Sequence, residues 1–302
     1  MTKNKLLLVL VVIITLSLTW YLFIKKSDYC ISFKVKTATG TVFQGVQEWS
    51  TVRQLTHKES YRILEKKNFS FIKQSMTKDK IKMEYQWEMN SINDSVTQVN
   101  VCVKDLKNSI YNRITVPFMD TDFKKEQIKK ITDFRNGLNQ HLENFKVEID
   151  GVKTSEETFV AYISLKSVMQ EKAQTMIAND AFITGYLQVN NIKIIGKPFV
   201  KIQNWDFEKE TLEFDYCFPI DKGTNYIEND LVKFKTLKST KGLQATYYGN
   251  FRTSDRAWFA LLDYAQKQGY DLTLQPLEHF LANPFSGGDE RTWETKVIIP
   301  IR

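Results

Sequence analysis

The side chains of this 302-residue chain best suited to catalysis are three histidines, three cysteines and scattered carboxylates. His57, His141 and His279 each stand alone, with no partner at the spacing of a zinc site. Cys30, Cys102 and Cys217 are far apart and no CxxC occurs, so no disulfide framework is required. Cys102 and Cys217 lie in strand-like runs, where cysteine serves as a small hydrophobe. Cys30 follows Ser27-Asp28-Tyr29, unlike the small apolar residues that precede a lipoprotein cleavage site. There is no Gly-rich phosphate loop, GxSxG or HExxH. The expectation is therefore no metal, no cofactor and no catalytic residue. Glu294 and Tyr247 are the pair an acid–base reaction would use, and sequence spacing alone does not bring them together.

Composition is ordinary for a globular protein, with 42% hydrophobic and 25% charged residues. Twenty Phe, thirteen Tyr and six Trp suffice for sizeable aromatic cores. The net charge of +7 comes from Lys and Arg scattered among 35 acidic residues, with no long basic block. With no zinc finger, RNA-binding aromatic signature or helix-turn-helix, no nucleic-acid partner is expected.

The N-terminus carries the strongest physical signal. Lys3 and Lys5 precede an uncharged apolar run over residues 6–24, and Lys25-Lys26 follow. At ~1.5 Å per residue this run spans about 28 Å, close to the ~30 Å hydrocarbon core of a bilayer. Trp20 and Tyr21 sit near one end, where aromatic residues favour the interface. The run ends in Trp-Tyr-Leu-Phe-Ile rather than a small-x-small cleavage site, so an uncleaved single-pass anchor in the cell membrane is expected. Lys3 and Lys5 oppose Lys25, Lys26, Lys34 and Lys36, which leaves both orientations open.

A first soluble region is expected over residues 28–148. Ile31, Phe33 and Val35 alternate with polar residues as in a strand, and a short helix with Val42, Val46 and Trp49 follows. Met83, Tyr85, Trp87 and Met89 alternate, then the turn Asn93-Asp94-Ser95, then Val99, Val101 and Val103, which is a hairpin with one buried face. An amphipathic helix over 122–144 carries Phe123, Ile128, Ile131, Phe134, Leu138 and Leu142. The layout is α+β. It resembles the SRPBCC (START-like, polyketide-cyclase-like) superfamily, which implies a helix-grip fold, a curved antiparallel sheet around a long helix that sometimes encloses an apolar cavity.

Residues 150–302 contain an internal repeat. In the first half, 158–164 reads as a strand, 169–186 as a helix, then Gly196-Lys197-Pro198-Phe199-Val200 and a strand over 212–220. In the second, 243–248 reads as a strand, 254–268 as a helix, then Gln275-Pro276-Leu277-Glu278-His279-Phe280 and a strand over 293–301. Both halves close on Pro-Ile, at Pro219-Ile220 and Pro300-Ile301. A proline suits the last rung of a strand, where no ladder donor is lost.

This region resembles the GyrI-like domain, the effector-binding half of AraC-type and multidrug-sensing regulators. The resemblance is carried by Tyr247-Tyr248-Gly249-Asn250-Phe251, by a Pro-x-Glu-x-aromatic stretch over Pro276 to Pro284, and by the closing strand Trp293 to Ile301. It implies a duplicated βαββ unit with an aromatic-lined ligand cleft between its halves. It also implies an acidic residue in the last strand that meets cationic ligands. Lys296 stands where that acid is expected, and Glu294, two residues earlier, shares its side of the strand. Tyr216, Tyr247, Trp258 and Phe280 are the candidate cleft aromatics, with Glu294 and Lys296 setting charge preference.

The functional expectation is a membrane-anchored protein that senses or sequesters a small amphipathic or aromatic molecule. The alternatives are a hydrolase using the same cleft and a membrane-tethered lipid-handling or interaction protein.

Overall fold

The computed structural model describes residues 3–93, 95–223, 226–282 and 287–302. Asp94 of the expected hairpin turn and Pro284 of the Pro-x-Glu-x-aromatic stretch lie outside the described residues. The chain is α+β and divides into two compact units, Met1–Asn139 and Gln140–Arg302.

The first unit begins with helix α1 (Lys3–Thr19), which continues as a π-helical turn over Trp20–Ile24. Leu7–Ile24 is apolar and long enough to cross a membrane, with a mean hydropathy of 2.6, and none of it is buried within the protein. A signal sequence passes the same test of length and composition.

Then come β1 (Tyr29–Val35), α2 (Thr39–His57), β2 (Ser60–Lys67), β3 (Phe71–Lys78), β4 (Ile81–Asn93) and β5 (Val96–Asp105). Two helices close the unit, α3 (Ser109–Thr115) and α4 (Asp122–Leu142). The sheet order is β1-β5-β4-β3-β2. Period-two alternation sets the register: Met83, Tyr85, Trp87 and Met89 are all buried, and the last three stand opposite buried Val103, Val101 and Val99. Trp87 packs edge-on against Phe134 of α4, 4.9 Å between centroids, and against Trp49 of α2 at 5.8 Å. These rings fill one another's contact surface.

Two expectations for this unit need correction. Ile128 does not turn inward; Gln127 and Lys130 are buried instead. The Tyr85 hydroxyl donates to Gln127 Oε1 at 2.7 Å, and Lys130 Nζ lies 3.1 Å from Glu59. A buried polar network has claimed a face that apolar periodicity alone would have assigned differently.

The second correction concerns Cys30 and Cys102, which are joined as a disulfide. The β1–β5 register sets them directly opposite, with Cα atoms 4.1 Å apart, as in the closely spaced pairs of an antiparallel ladder. Cys102 is therefore a cross-strand link, while Cys217 is free and buried. Peptide mapping without reductant should recover the Cys30–Cys102 cross-link. Replacing both cysteines by serine should cost the first unit about 2–4 kcal/mol in denaturant unfolding. Two free thiols in protein recovered from its native compartment would contradict the pairing.

The second unit contains β6 (Lys146–Thr154), β7 (Thr158–Val168), α5 (Lys172–Val189), β8 (Phe199–Asp206) and β9 (Thr211–Pro219). It continues with β10 (Lys233–Leu237), β11 (Lys241–Tyr248), α6 (Asp255–Gln268), β12 (Leu277–Phe280) and β13 (Glu294–Pro300). Helix α6 ends where Gly269 takes the left-handed conformation, φ 75°, that glycine adopts without steric cost. All strands join one antiparallel sheet in the order β10-β7-β9-β8-β12-β13-β11-β6. The runs β7-α5-β8-β9 and β11-α6-β12-β13 have the same element order and meet at β8·β12.

Strands β6 and β10 cross over. Strand β6 precedes β7 but pairs with β11, and β10 precedes β11 but pairs with β7. A cut at residue 148 or 150 therefore runs through a strand of the second sheet. Residues 155–157 and 238–240 each link strands six places apart in the sheet. A flat sheet would need about 29 Å for that step, at ~4.8 Å per strand. Such short links reach only about 14 Å. The sheet must curl until its two ends approach, and the links bond each other there: Ser155 N donates to Thr240 O, and Thr240 N to Ser155 Oγ, both at 2.9 Å.

Candidate functional site

Alternation on the curled sheet assigns side chains to two faces. Glu278 and Phe280 of β12, Tyr216 and Phe218 of β9, and Tyr247 of β11 point to the face that carries α5 and α6. His279, Phe199, Lys296 and Ile298 point to the opposite face. Each face holds a recess.

On the helix-bearing face a cleft of ≈ 380 Å³ opens between the two halves. The first half supplies Met176, Ile177, Asp180 and Thr184 from α5, and Tyr216 and Phe218 from β9. The second supplies Phe280 from β12 and Phe251, just after β11. Met176, Asp180 and Thr184 follow one another at four-residue spacing, so one stripe of α5 lines the cleft. Tyr216 and Phe218 meet edge-on at 4.9 Å, and Phe251 and Phe280 lie 5.5 Å apart.

The Tyr216 hydroxyl donates to Asp180 Oδ1 at 2.7 Å. Burial, followed by the Asp180 hydrogen bond and charge, pushes the Tyr216 phenol up, so it remains a donor. Lys197, also on the rim, donates to the Leu281 carbonyl. The result, among the described residues, is a largely apolar wall that carries four aromatic rings, one carboxylate and the Lys197 ammonium. Such a wall can stack a ring and accept a hydrogen bond or face a positive group.

Beside this cleft lies a buried ionic cluster. Glu278, two residues before Phe280, is fully buried and bonded to Lys172 at the start of α5. Ser254 Oγ donates to Glu278 Oε1 at 3.0 Å, and Lys172 Nζ donates to Ser254 Oγ at 3.0 Å. The ammonium also lies 4.7 Å from the Trp258 ring centroid. Lys172 belongs to the first half, and its partners all belong to the second. The cluster therefore ties the halves together beside the cleft, a buried charge met by charge, hydroxyl and ring.

The opposite face has a recess of ≈ 840 Å³, lined by Phe199, Gln244, His279, Lys296, Ile298 and residues 155–159 among others. His279 stacks on Phe199 at 4.6 Å. Burial lowers its pKa to about 4, so it is neutral at physiological pH.

The six residues singled out from sequence separate. Tyr216 and Phe280 line the aromatic cleft, and Lys296 lines the opposite recess. Glu294 is on the face of Lys296, with 3.9 Å between Oε1 and Nζ, and so on the face away from the aromatic cleft. Tyr247 and Trp258 are fully buried. Tyr247 hydrogen-bonds Asn250 O and Thr253 Oγ1 and stacks on Phe145, while Trp258 packs edge-on against Trp205. Sequence reasoning missed Asp180, Phe251 and the Lys172–Glu278 pair. The parity of Glu278 with Phe280 was the one signal available. Nothing local marked Lys172 as its partner.

No protein family matches the chain, and no curated relative does. Among solved structures, the chain is similar to EcmrR in its DNA complex in EcmrR-RPo, at 14% identity and a TM-score of 0.45, over 59% of this chain and 68% of that one. It is similar to the EcmrR C-terminal domain at 13% identity and a TM-score of 0.44, over 52% and 98%. It is also similar to SAV2435 bound to tetraphenylphosphonium, at 10% identity and a TM-score of 0.36, over 51% and 94%.

Proposed function

We propose that this protein holds a small-molecule-binding unit at a membrane, and that the unit takes an amphipathic aromatic ligand in the cleft between its halves. On this reading the second unit is a duplicated GyrI-like effector-binding fold, the first is an SRPBCC-like module, and residues 6–24 are the anchor. The Cys30–Cys102 disulfide favours an oxidising compartment for the soluble part.

The observation that carries the binding reading is the cleft itself. Tyr216, Phe218, Phe251 and Phe280 converge from both halves on a space of ≈ 380 Å³, with Asp180 beside them. That volume falls within the usual range for small-ligand sites. Stacking one ligand ring there contributes about 1–3 kcal/mol. The Asp180 carboxylate adds a preference for a ligand with a positive or hydrogen-bond-donating group.

The test is a thermal-shift and calorimetric screen of the full-length protein in detergent against cationic, neutral and anionic aromatic compounds. Cationic aromatic compounds should stabilise the second unit most. Phe280→Ala should weaken every class, and Asp180→Asn should weaken cations selectively by about tenfold, or about 1.4 kcal/mol. If no class stabilises the protein, or if Phe280→Ala leaves binding unchanged, the cleft is not the site.

A further inference from the structure

Helix α3 is inverted relative to an ordinary surface helix. Its buried residues are polar: Asn112 is 3% exposed and Arg113 2%. Its apolar residues face outward: Ile110 is 47% exposed, Tyr111 63% and Ile114 51%. At 100° per residue those three fall within about 100° of arc. Phe118, in the turn that follows, is 86% exposed. A contiguous apolar face of this kind marks contact with a partner or a membrane.

The inversion has a local cause. Arg113 Nε donates to Asp28 Oδ1 at 2.9 Å, and Ser109 Oγ donates to the same oxygen at 2.6 Å. Asp28 Oδ2 accepts from the Asp105 amide at 2.8 Å. This buried pair holds the polar side of α3 against the domain and turns the apolar side out.

The same arginine joins α3 to the apolar N-terminal helix. Arg113 Nη1 donates to Leu22 O at 2.8 Å, and the Tyr21 hydroxyl donates to Arg113 O at 3.0 Å. Tyr21 and Leu22 lie near the end of the span Leu7–Ile24. Helix α3 is therefore held at the end of that span.

We propose that the face of α3 formed by Ile110, Tyr111 and Ile114, extended by Phe118, is seated in the membrane interface. The first unit would then rest on the bilayer through α3 instead of swinging on a tether. This inference rests on reading Leu7–Ile24 as a membrane span. The occupant is lipid because α3 is fastened, through Arg113 and Tyr21, to the end of a helix that needs hydrocarbon around it. Interfacial helices bury an apolar face about 5–10 Å into the headgroup–acyl boundary, the level at which a span of this length ends.

The test uses the full-length protein in vesicles of phosphatidylcholine and phosphatidylglycerol, with single nitroxide labels read by spin resonance. Cys217 is buried and the other two cysteines are paired, so one added cysteine is the only accessible thiol. Labels at Ile114→Cys and Phe118→Cys should lose accessibility to a water-soluble nickel complex and gain accessibility to oxygen. A label at Leu55→Cys, on an exposed position of α2, should stay aqueous. A label at Leu16→Cys reports the span itself. If Leu16 is in hydrocarbon while 114 and 118 are aqueous, the interfacial seat is wrong and the span stands. If all are aqueous, the span has failed and the seat with it. Spin–spin broadening at 114 and 118 that vanishes on dilution with unlabelled protein would assign the face to a second copy of the chain and overturn the proposal.

Discussion

Lys172→Met is expected to destabilise the second unit by about 3–5 kcal/mol, because it leaves the fully buried Glu278 without its counter-charge. Few single substitutions in this unit should cost more. Desolvating a carboxylate is expensive, and Ser254 alone offers it a single hydroxyl donor. The double variant Lys172→Met/Glu278→Gln should recover much of the loss, since it removes both charges and preserves most of the volume. Urea unfolding followed by hydrogen exchange in β12 and β13 would read the effect locally. The cluster borders the cleft through Met176, one turn along α5, and Phe280, two residues along β12. The single variant should therefore also weaken ligand-induced stabilisation. A single variant as stable as the parent would show that the pair does not hold the halves together.

The first unit has a comparable weak point at Glu59, which is 2% exposed. Arg53 grips it with two hydrogen bonds of 2.6 and 2.9 Å, Tyr61 donates to it at 2.8 Å, and Lys130 Nζ lies 3.1 Å away. Burial by itself pushes the Glu59 carboxyl up. The hydrogen bonds from Arg53 and Tyr61, with the charge of Lys130, outweigh it and bring the pKa down to about 2. The folded value lies below the unfolded one. Stability from this group is therefore present in full above the unfolded value of 4.5, and is lost as pH falls from there towards 2. The loss amounts to at most about 3 kcal/mol across that window. Glu59→Gln should cost about 3–5 kcal/mol at pH 7, where it strands Lys130 and Arg53, and should flatten the acid dependence. Exchange rates in β4 and β5 at pH 3 and pH 7 check both statements. An acid slope unchanged by Glu59→Gln would place the titrating group elsewhere.

Much of the architecture was legible in the sequence because it follows from local periodicity. The alternation around Trp87 and Val101 places those residues in the core, since a one-residue slip would turn the whole set to solvent. The apolar run ending at Ile24 forms one continuous helical stretch, and the repeated strand–helix–strand–strand order with its two Pro-Ile endings is visible in the chain. Tyr216 and Phe280 reach the aromatic cleft from strands whose ends the repeat marks.

Pairing across distance was decided only in the tertiary structure. Cys30 and Cys102, 72 residues apart, become opposite partners through the β1–β5 register. The crossed pairing of β6 and β10 curls the second sheet, and it draws β6 into a unit that periodicity would have begun later. Alternation near the C-terminus does form the closing strand β13, with Glu294 and Lys296 on one side of it. Which side faces the aromatic cleft depended on β12 and β11 beside it, and those neighbours turn both charges away. The carboxylates near the cleft are instead Asp180, placed by the docking of α5, and Glu278, which lies 106 residues from the lysine that neutralises it. A side chain's type and parity are local properties. Its counter-charge, and the face of the sheet that becomes a cleft, are set by contacts between segments far apart in sequence.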